Sequence, residues 1–252
     1  MVPDPSGYYG TTISHSFSMS NLLPAVLPHE LQHAISYNQH VFVNDGSPEE
    51  NWLNEGASHF IEDRFGVGVE NPSRYGMFLS SPSTYGVVTQ SSPNLMERGG
   101  VYLFLRYLYE QASDSDAFLR DLIQTSKRGV ANLEAAFQGQ SDMDGFSEMM
   151  ARWTVALAMT NRGISQDARY IYRDRVRSSL TGNWEGVCLD CSADDNRGTE
   201  LTGVNLNQYY GYHTSNVDSA AVKFYNITSL PNEMTLQGSS DGGSYGILIR
   251  TQ

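Results

Sequence analysis

His29-Glu30-Leu31-Gln32-His33 decides how this chain is read. The stretch sits in a helical pattern that begins near Ala25, where Leu27, Leu31, Ala34 and Ile35 recur at the three- and four-residue spacing expected of one buried face. Pro28 restricts where that helix begins or kinks, because proline is tolerated only in a first turn whose N–H groups have no intrahelical partner. On a helix, residues four apart share a face one turn apart, so the imidazoles of His29 and His33 can reach one metal ion. Glu30 projects at an angle to that pair. Its carboxylate would lie beside the ion without binding it, where it can take a proton from a metal-bound water.

A catalytic zinc usually takes three protein ligands and keeps one open position. The third ligand is expected to be Glu55, in Trp52-Leu53-Asn54-Glu55-Gly56-Ala57-Ser58, with 21 residues between it and His33. Ser47-Pro48-Glu49-Glu50 reads as the start of its helix, with a serine cap, proline in the first position and glutamate three residues after the cap, so a helix is expected from Pro48 to about Phe65. The loop from about Asn38 to Asp45 is long enough to fold this helix back on the first. Gly56, lacking a side chain, is expected to let the two backbones approach closely. The bland reading is that a five-residue match arises by chance and that Glu30 is a solvated helix residue. The second motif, following at this distance, argues against it.

Downstream, Val69 to Pro93 carries prolines, glycines and many serines and reads as irregular loop. Helices are expected over Pro93–Ala112, Ser115–Ser126, Val130–Phe137 and Asp144–Thr160. Upstream, Thr11 to Met19 alternates loosely enough to allow a strand. After about Tyr170, short β-branched and aromatic runs at Ala220–Thr228, Met234–Gln237 and Tyr245–Ile249 suggest a small antiparallel unit.

The 252 residues suffice for a sizeable core. With 28 acidic against 16 basic residues the net charge is -12, which disfavours nucleic acid as a partner. There is no apolar run long enough for a membrane span. Two lysines, fifteen tyrosines and abundant Ser, Thr, Asn and Gly suggest a secreted or cell-surface bacterial protein. Met1-Val2-Pro3-Asp4-Pro5 does not open a signal peptide, so any signal segment is expected to lie outside these residues. Cys188 and Cys191, three apart, are expected to form a local disulfide rather than half of a metal site.

The two motifs resemble the gluzincin metallopeptidases, and are most similar to the hyicolysin-like secreted bacterial peptidases, with a looser similarity to the M1-type aminopeptidases. The resemblance covers about Leu22 to Thr160, extending along Tyr102–Leu108 and around Trp153, and only the first two motifs are specific. It implies zinc ligands at His29, His33 and Glu55, a catalytic Glu30 and a protein or peptide substrate. The expected fold is α+β: a mainly helical zincin-type catalytic domain over residues 1–175 and a small antiparallel β-rich unit over residues 176–252. The expected activity is endopeptidase. The alternatives are an aminopeptidase of the same chemistry or a non-catalytic binding module on a peptidase scaffold.

Two departures stand out. Where such enzymes carry a tyrosine that stabilises the oxyanion, this chain has Met96-Glu97-Arg98-Gly99-Gly100; Arg98, Tyr85 or another tyrosine of the Tyr75–Tyr85 loop, Tyr102 and His213 all remain open as the donor. Only 28 residues precede His29, which suggests a trimmed catalytic fragment. His59, four after Glu55, is either a ligand-orienting residue or a structural histidine. His15, His40 and His213 read as surface or packing residues. Asp142-Met143-Asp144-Gly145 with Ser147 and Glu148 is weighed as part of a calcium loop but reads better as helix capping. Asp194-Asp195-Asn196 is a second oxygen-rich cluster of the same modest standing, and Asn226-Ile227-Thr228 fits a glycosylation acceptor.

Overall fold

Helix α3, Asn51–Arg64, touches most of what matters in this molecule. The structure is a computed structural model that describes residues 4–191, 199–209, 216–228, 243 and 246–250. Before α3 come a short turn α1, His15–Phe17, a π-helical stretch, Ser18–Leu22, and α2, Leu23–Tyr37, continued by a second π-helical stretch, Asn38–Val43. After it come α4, Asn71–Ser80, α5, Leu95–Gln111, α6, Ser115–Ile123, α7, Gly129–Phe137, and α8, Gly145–Met159. The fold is α+β and mainly helical. The last third carries three small strand pairs: β1 (Val176–Arg177) with β2 (Trp184–Glu185) and β3 (Asp190–Cys191) with β4 (Leu201–Thr202), both antiparallel, and β5 (Leu206–Gln208) with β6 (Phe224–Asn226), which is parallel. The strands expected at Met234–Gln237 and from Tyr245 lie outside the described residues, wholly and at Tyr245 respectively; Gly246–Ile249 is not in a strand. The cluster Asp194-Asp195-Asn196 also lies outside.

One apolar core gathers Trp52 and Phe60 of α3, Phe78 of α4, Val101 to Leu108 of α5, Phe137 of α7 and Trp153 of α8, and takes in Val187, Leu189, Leu201 and Phe224 from the strand region. Helix α5 is the axial element, buried along most of its length and started by a capping box in which the Asn94 side chain accepts from the Glu97 N–H while Glu97 accepts from the Asn94 N–H. Arg106 of α5, buried, ties α3 to α5 through Asp63 at 2.7 Å and pairs with Glu110 of its own helix.

Several expectations are corrected. Residues 15–22 are helical, and the strand allowed over Thr11–Met19 reduces to a single bridge from Ile13 to Asp4. Helix α3 starts at Asn51, not Pro48. Ser47 to Glu50 stay outside the helix, with Glu50 extended: Glu49 is drawn into a buried site where it accepts from Gly129 N–H and the Asn132 amide, while Glu50 accepts from the Trp52 indole. Helix α4 occupies ground expected to be loop; Tyr75, Phe78 and Leu79, at helical spacing, bury one face of it. Gly56 serves α5 rather than α2: a Cβ there would fall 2.2 Å from Val101 Cγ1.

The largest correction concerns α2. Leu27, Leu31 and Ile35 are 59%, 60% and 47% exposed, and the buried residues are His29, Gln32 and Ser36. The helix turns its polar face inward, toward α3, and contributes no apolar side chain to the core among the described residues.

Candidate metal centre

Helices α2 and α3 pack so that three donor atoms converge. His29 Nε2 lies 3.1 Å from His33 Nε2 and 3.5 Å from Glu55 Oε2, and His33 Nε2 lies 3.9 Å from Glu55 Oε1. A tetrahedral ion with ligands at about 2.05 Å has ligand-to-ligand edges of about 3.3 Å, so these separations frame a space of the right size. Glu55 Oε2 is buried, with His29 Nε2 at 3.5 Å and the Arg98 guanidinium at 2.8 Å, so its carboxylate is held ionised at the edge of this space, the state in which it can ligate a metal. His29, His33 and Glu55 thus form a group able to hold a metal ion.

Both imidazoles are oriented from behind. His29 donates its Nδ1–H to Glu62 Oε1 at 2.8 Å, and His33 Nδ1 sits 3.2 Å from Ser58 Oγ, whose own proton is directed to Gln32 or to the Asn54 carbonyl. A hydrogen on Nδ1 leaves the Nε2 lone pair facing the other donors, which is the tautomer a metal requires. Glu62 is the residue that sequence reasoning missed. It stands seven after Glu55, two turns along the same helix face, a spacing that was available to be noticed.

Glu62 is itself held by His59 Nδ1 at 3.0 Å and Arg74 Nη1 at 3.4 Å. Burial works to raise its pKa, but the hydrogen bonds from His29 and His59 and the nearby Arg74 charge prevail and bring it to about 2. For His29, burial works to lower the pKa, and the carboxylates of Glu55 and Glu62 overturn this and raise it to about 9 in the metal-free chain. His59 is buried and orients Glu62, not a metal ligand directly. His29, His59 and Glu62 also lie close enough to count as a group for an ion. The Arg74 guanidinium, within 3.4 Å of both His59 and Glu62, places a positive charge against that second group.

Glu30 lies beside His29, exposed, with no hydrogen-bond or ion-pair partner among the described residues. Of the open oxyanion donors among the described residues, Arg98 is the one brought to the site, its Nη1 2.8 Å from Glu55 Oε2. Tyr102 is buried in the core, stacked on Tyr75; Tyr85 packs against that core; His213 lies outside the described residues. Elsewhere, Arg152 sits between Asp142 at 2.6 Å and Glu148 at 2.6 Å, taking the place that a calcium ion would need. Cys188 and Cys191 are joined in a disulfide. His15 is exposed and His40 fully buried.

No family model matches the chain, and no curated protein matches it. Among the described residues no helix is long and apolar enough to cross a membrane.

Proposed function

We propose that the chain is a zinc-dependent endopeptidase in which His29, His33 and Glu55 hold the metal and Glu30 is the general base. One observation carries the reading: the two imidazoles of α2, each oriented through its Nδ1, converge with the Glu55 carboxylate of α3 at separations of 3.1 to 3.9 Å, and α2 also bears an unpartnered carboxylate, Glu30, next to the first ligand. Two imidazoles and a carboxylate suit zinc. Bound there, zinc would polarise a scissile carbonyl and acidify the attacking water. Glu30 accepts the proton of that water and returns it to the leaving amine. Ser58 and Glu62 hold the imidazoles still while this happens. The Cys188–Cys191 disulfide suits an oxidising compartment and supports a secreted or cell-surface location.

The test is elemental analysis of the purified chain paired with cleavage of an unfolded protein with and without a chelator. One zinc per chain and chelator-sensitive cleavage are expected. Glu30→Gln should keep the zinc and lose at least about a hundredfold in turnover, whereas His33→Ala should lose the zinc itself. Substrates with blocked N-termini should still be cut. A chain that binds no zinc after reloading, or a Glu30→Gln variant that cleaves at the parent rate, would sink the reading.

A further inference from the structure

The arginine next to the ligand carboxylate has no role in that scheme, and its placement is unusual on electrostatic grounds. A guanidinium near a divalent cation is repelled by it, so a fold that fixes one there needs compensating negative charge. Part is supplied by Glu55, whose Oε2 lies 2.8 Å from Arg98 Nη1. That contact leaves the other guanidinium nitrogen uncommitted among the described residues. The Arg98 Nε–H is already given to the Pro93 carbonyl at 3.0 Å. Its side chain is 25% exposed, and among the described residues its Nη2 donors have no partner.

The anchoring is rigid. Arg98 stands in the first turns of α5, just after the capping box formed by Asn94 and Glu97. The next two residues are glycines because α4 crosses there. A Cβ on Gly99 would meet the backbone of Arg74 at 2.5 Å, and one on Gly100 would meet the Phe78 ring at 2.8 Å. This crossing fixes Arg98 opposite the Glu55 end of α3 and Arg74 opposite the Glu62 end, so the two arginines divide the two carboxylates between them. Arg74 is pinned further by the Asn71 side chain at 3.0 Å, and its Nη1 also faces His59. Arg98 is held by the Pro93 carbonyl and Glu55 alone among the described residues.

We infer that Arg98 is a catalytic residue whose guanidinium binds the oxyanion that develops on the scissile carbonyl, a role that rests on the peptidase reading above. As the carbonyl oxygen gains charge beside the ligand set, its attraction to the guanidinium grows, adding to the pairing that Glu55 already provides. The interaction is therefore stronger in the transition state than with bound substrate, which is the condition for raising turnover and not merely binding. A planar fork fixed at Nε can present a free N–H to that oxygen while another stays against Glu55.

The experiment compares the zinc-loaded parent with Arg98→Met and Arg98→Lys, after confirming that each variant melts cooperatively. Zinc affinity is measured by competition with a chromophoric chelator, kcat and KM with an internally quenched peptide, and binding of a phosphinate peptide, a stable tetrahedral anion, by calorimetry. Arg98→Met should retain its zinc and lose about 10²- to 10³-fold in kcat with KM changed less than about threefold. Phosphinate binding should weaken in step with kcat, and Arg98→Lys should recover part of both. If Arg98→Met instead loses zinc affinity while each zinc-loaded chain turns over at the parent rate, Arg98 only holds Glu55 and the inference is wrong. Phosphinate binding unchanged in Arg98→Met would overturn it as well. A parent chain that binds zinc but cuts nothing would remove the peptidase reading, and this inference with it, before any variant is compared.

Discussion

Glu62 carries more of the candidate site than any residue that does not face the metal position. It accepts from His29 on one side and lies within hydrogen-bonding distance of His59 on the other, both side chains being buried. Partners of this kind fix the ring and its tautomer, and their loss costs about 10- to 100-fold in metal affinity. Glu62→Ala should show a loss in that range by chelator competition, and Glu62→Gln, which keeps an acceptor but not the charge, a smaller one. Equal affinity in all three proteins would mean that His29 needs no orienting partner. A second residue-scale prediction concerns His40, which is fully buried. Burial, together with the Arg128 charge, outweighs backbone hydrogen bonds at Leu122 and Lys127 and lowers its pKa from the ordinary 6.5, while the Glu49 carboxylate 3.9 Å away is already engaged by Gly129 and Asn132. A histidine with a depressed folded pKa contributes stability that is present above its unfolded value and lost as pH falls through the folded one. The melting temperature should therefore fall as pH drops below about 6.5, and His40→Leu should flatten that part of the profile. An unchanged slope in His40→Leu would assign the acid sensitivity to other groups.

At the scale of elements, close crossings position the site. Gly56→Ala would drive a Cβ into Val101 of α5, overpacking worth about 1–3 kcal/mol, and trimming Val101 to alanine should restore much of the loss in a double-mutant cycle by denaturant melts. No restoration would place the strain elsewhere than at the α3–α5 contact. The sequence conveys these elements unevenly. Helices α5 to α8 were legible because apolar periodicity and burial agree in them, as Phe118 and Leu122 of α6 illustrate. Helix α4 was hidden by Pro72 and Gly76, which read as loop residues although Pro72 falls in a first turn and Gly76 is tolerated within the helix. In α2 the periodicity was read correctly and assigned to the wrong side: His29 and His33 must face Glu55 and Glu62, and at 100° per residue this turns Leu31 outward. The partner of Gly56 could not be read from spacing, because nothing local in the sequence distinguishes an approach to α2 from one to α5. The candidate site was more legible than its surroundings. Ligands four apart on one helix form a local pattern, whereas Arg98 reaches the site only through tertiary packing.

Over the whole molecule, that inversion of α2 sets how stability is distributed. The core runs through α3, α5 and α8 and out to the strand pairs, while α2 is attached to α3 through His29, Gln32 and His33 and turns its apolar stripe to solvent. A helix with few buried apolar contacts opens at lower free energy than one inside the core. In the metal-free chain the amides of α2 should exchange faster than those of α5 from Leu103 to Leu108. An ion bound by His29, His33 and Glu55 bridges α2 to α3 and is released when α2 opens, so binding adds directly to the opening free energy. At about 100 times its dissociation constant zinc should raise that free energy by ~2.7 kcal/mol, a slowing of about a hundredfold in α2 exchange. His33→Ala should abolish the slowing without altering α5 in the metal-free protein. Hydrogen exchange followed by mass spectrometry reads both helices in one sample. If α2 exchanged alike with and without zinc while the chain still carried the metal, the ion would be bound somewhere that does not join these two helices.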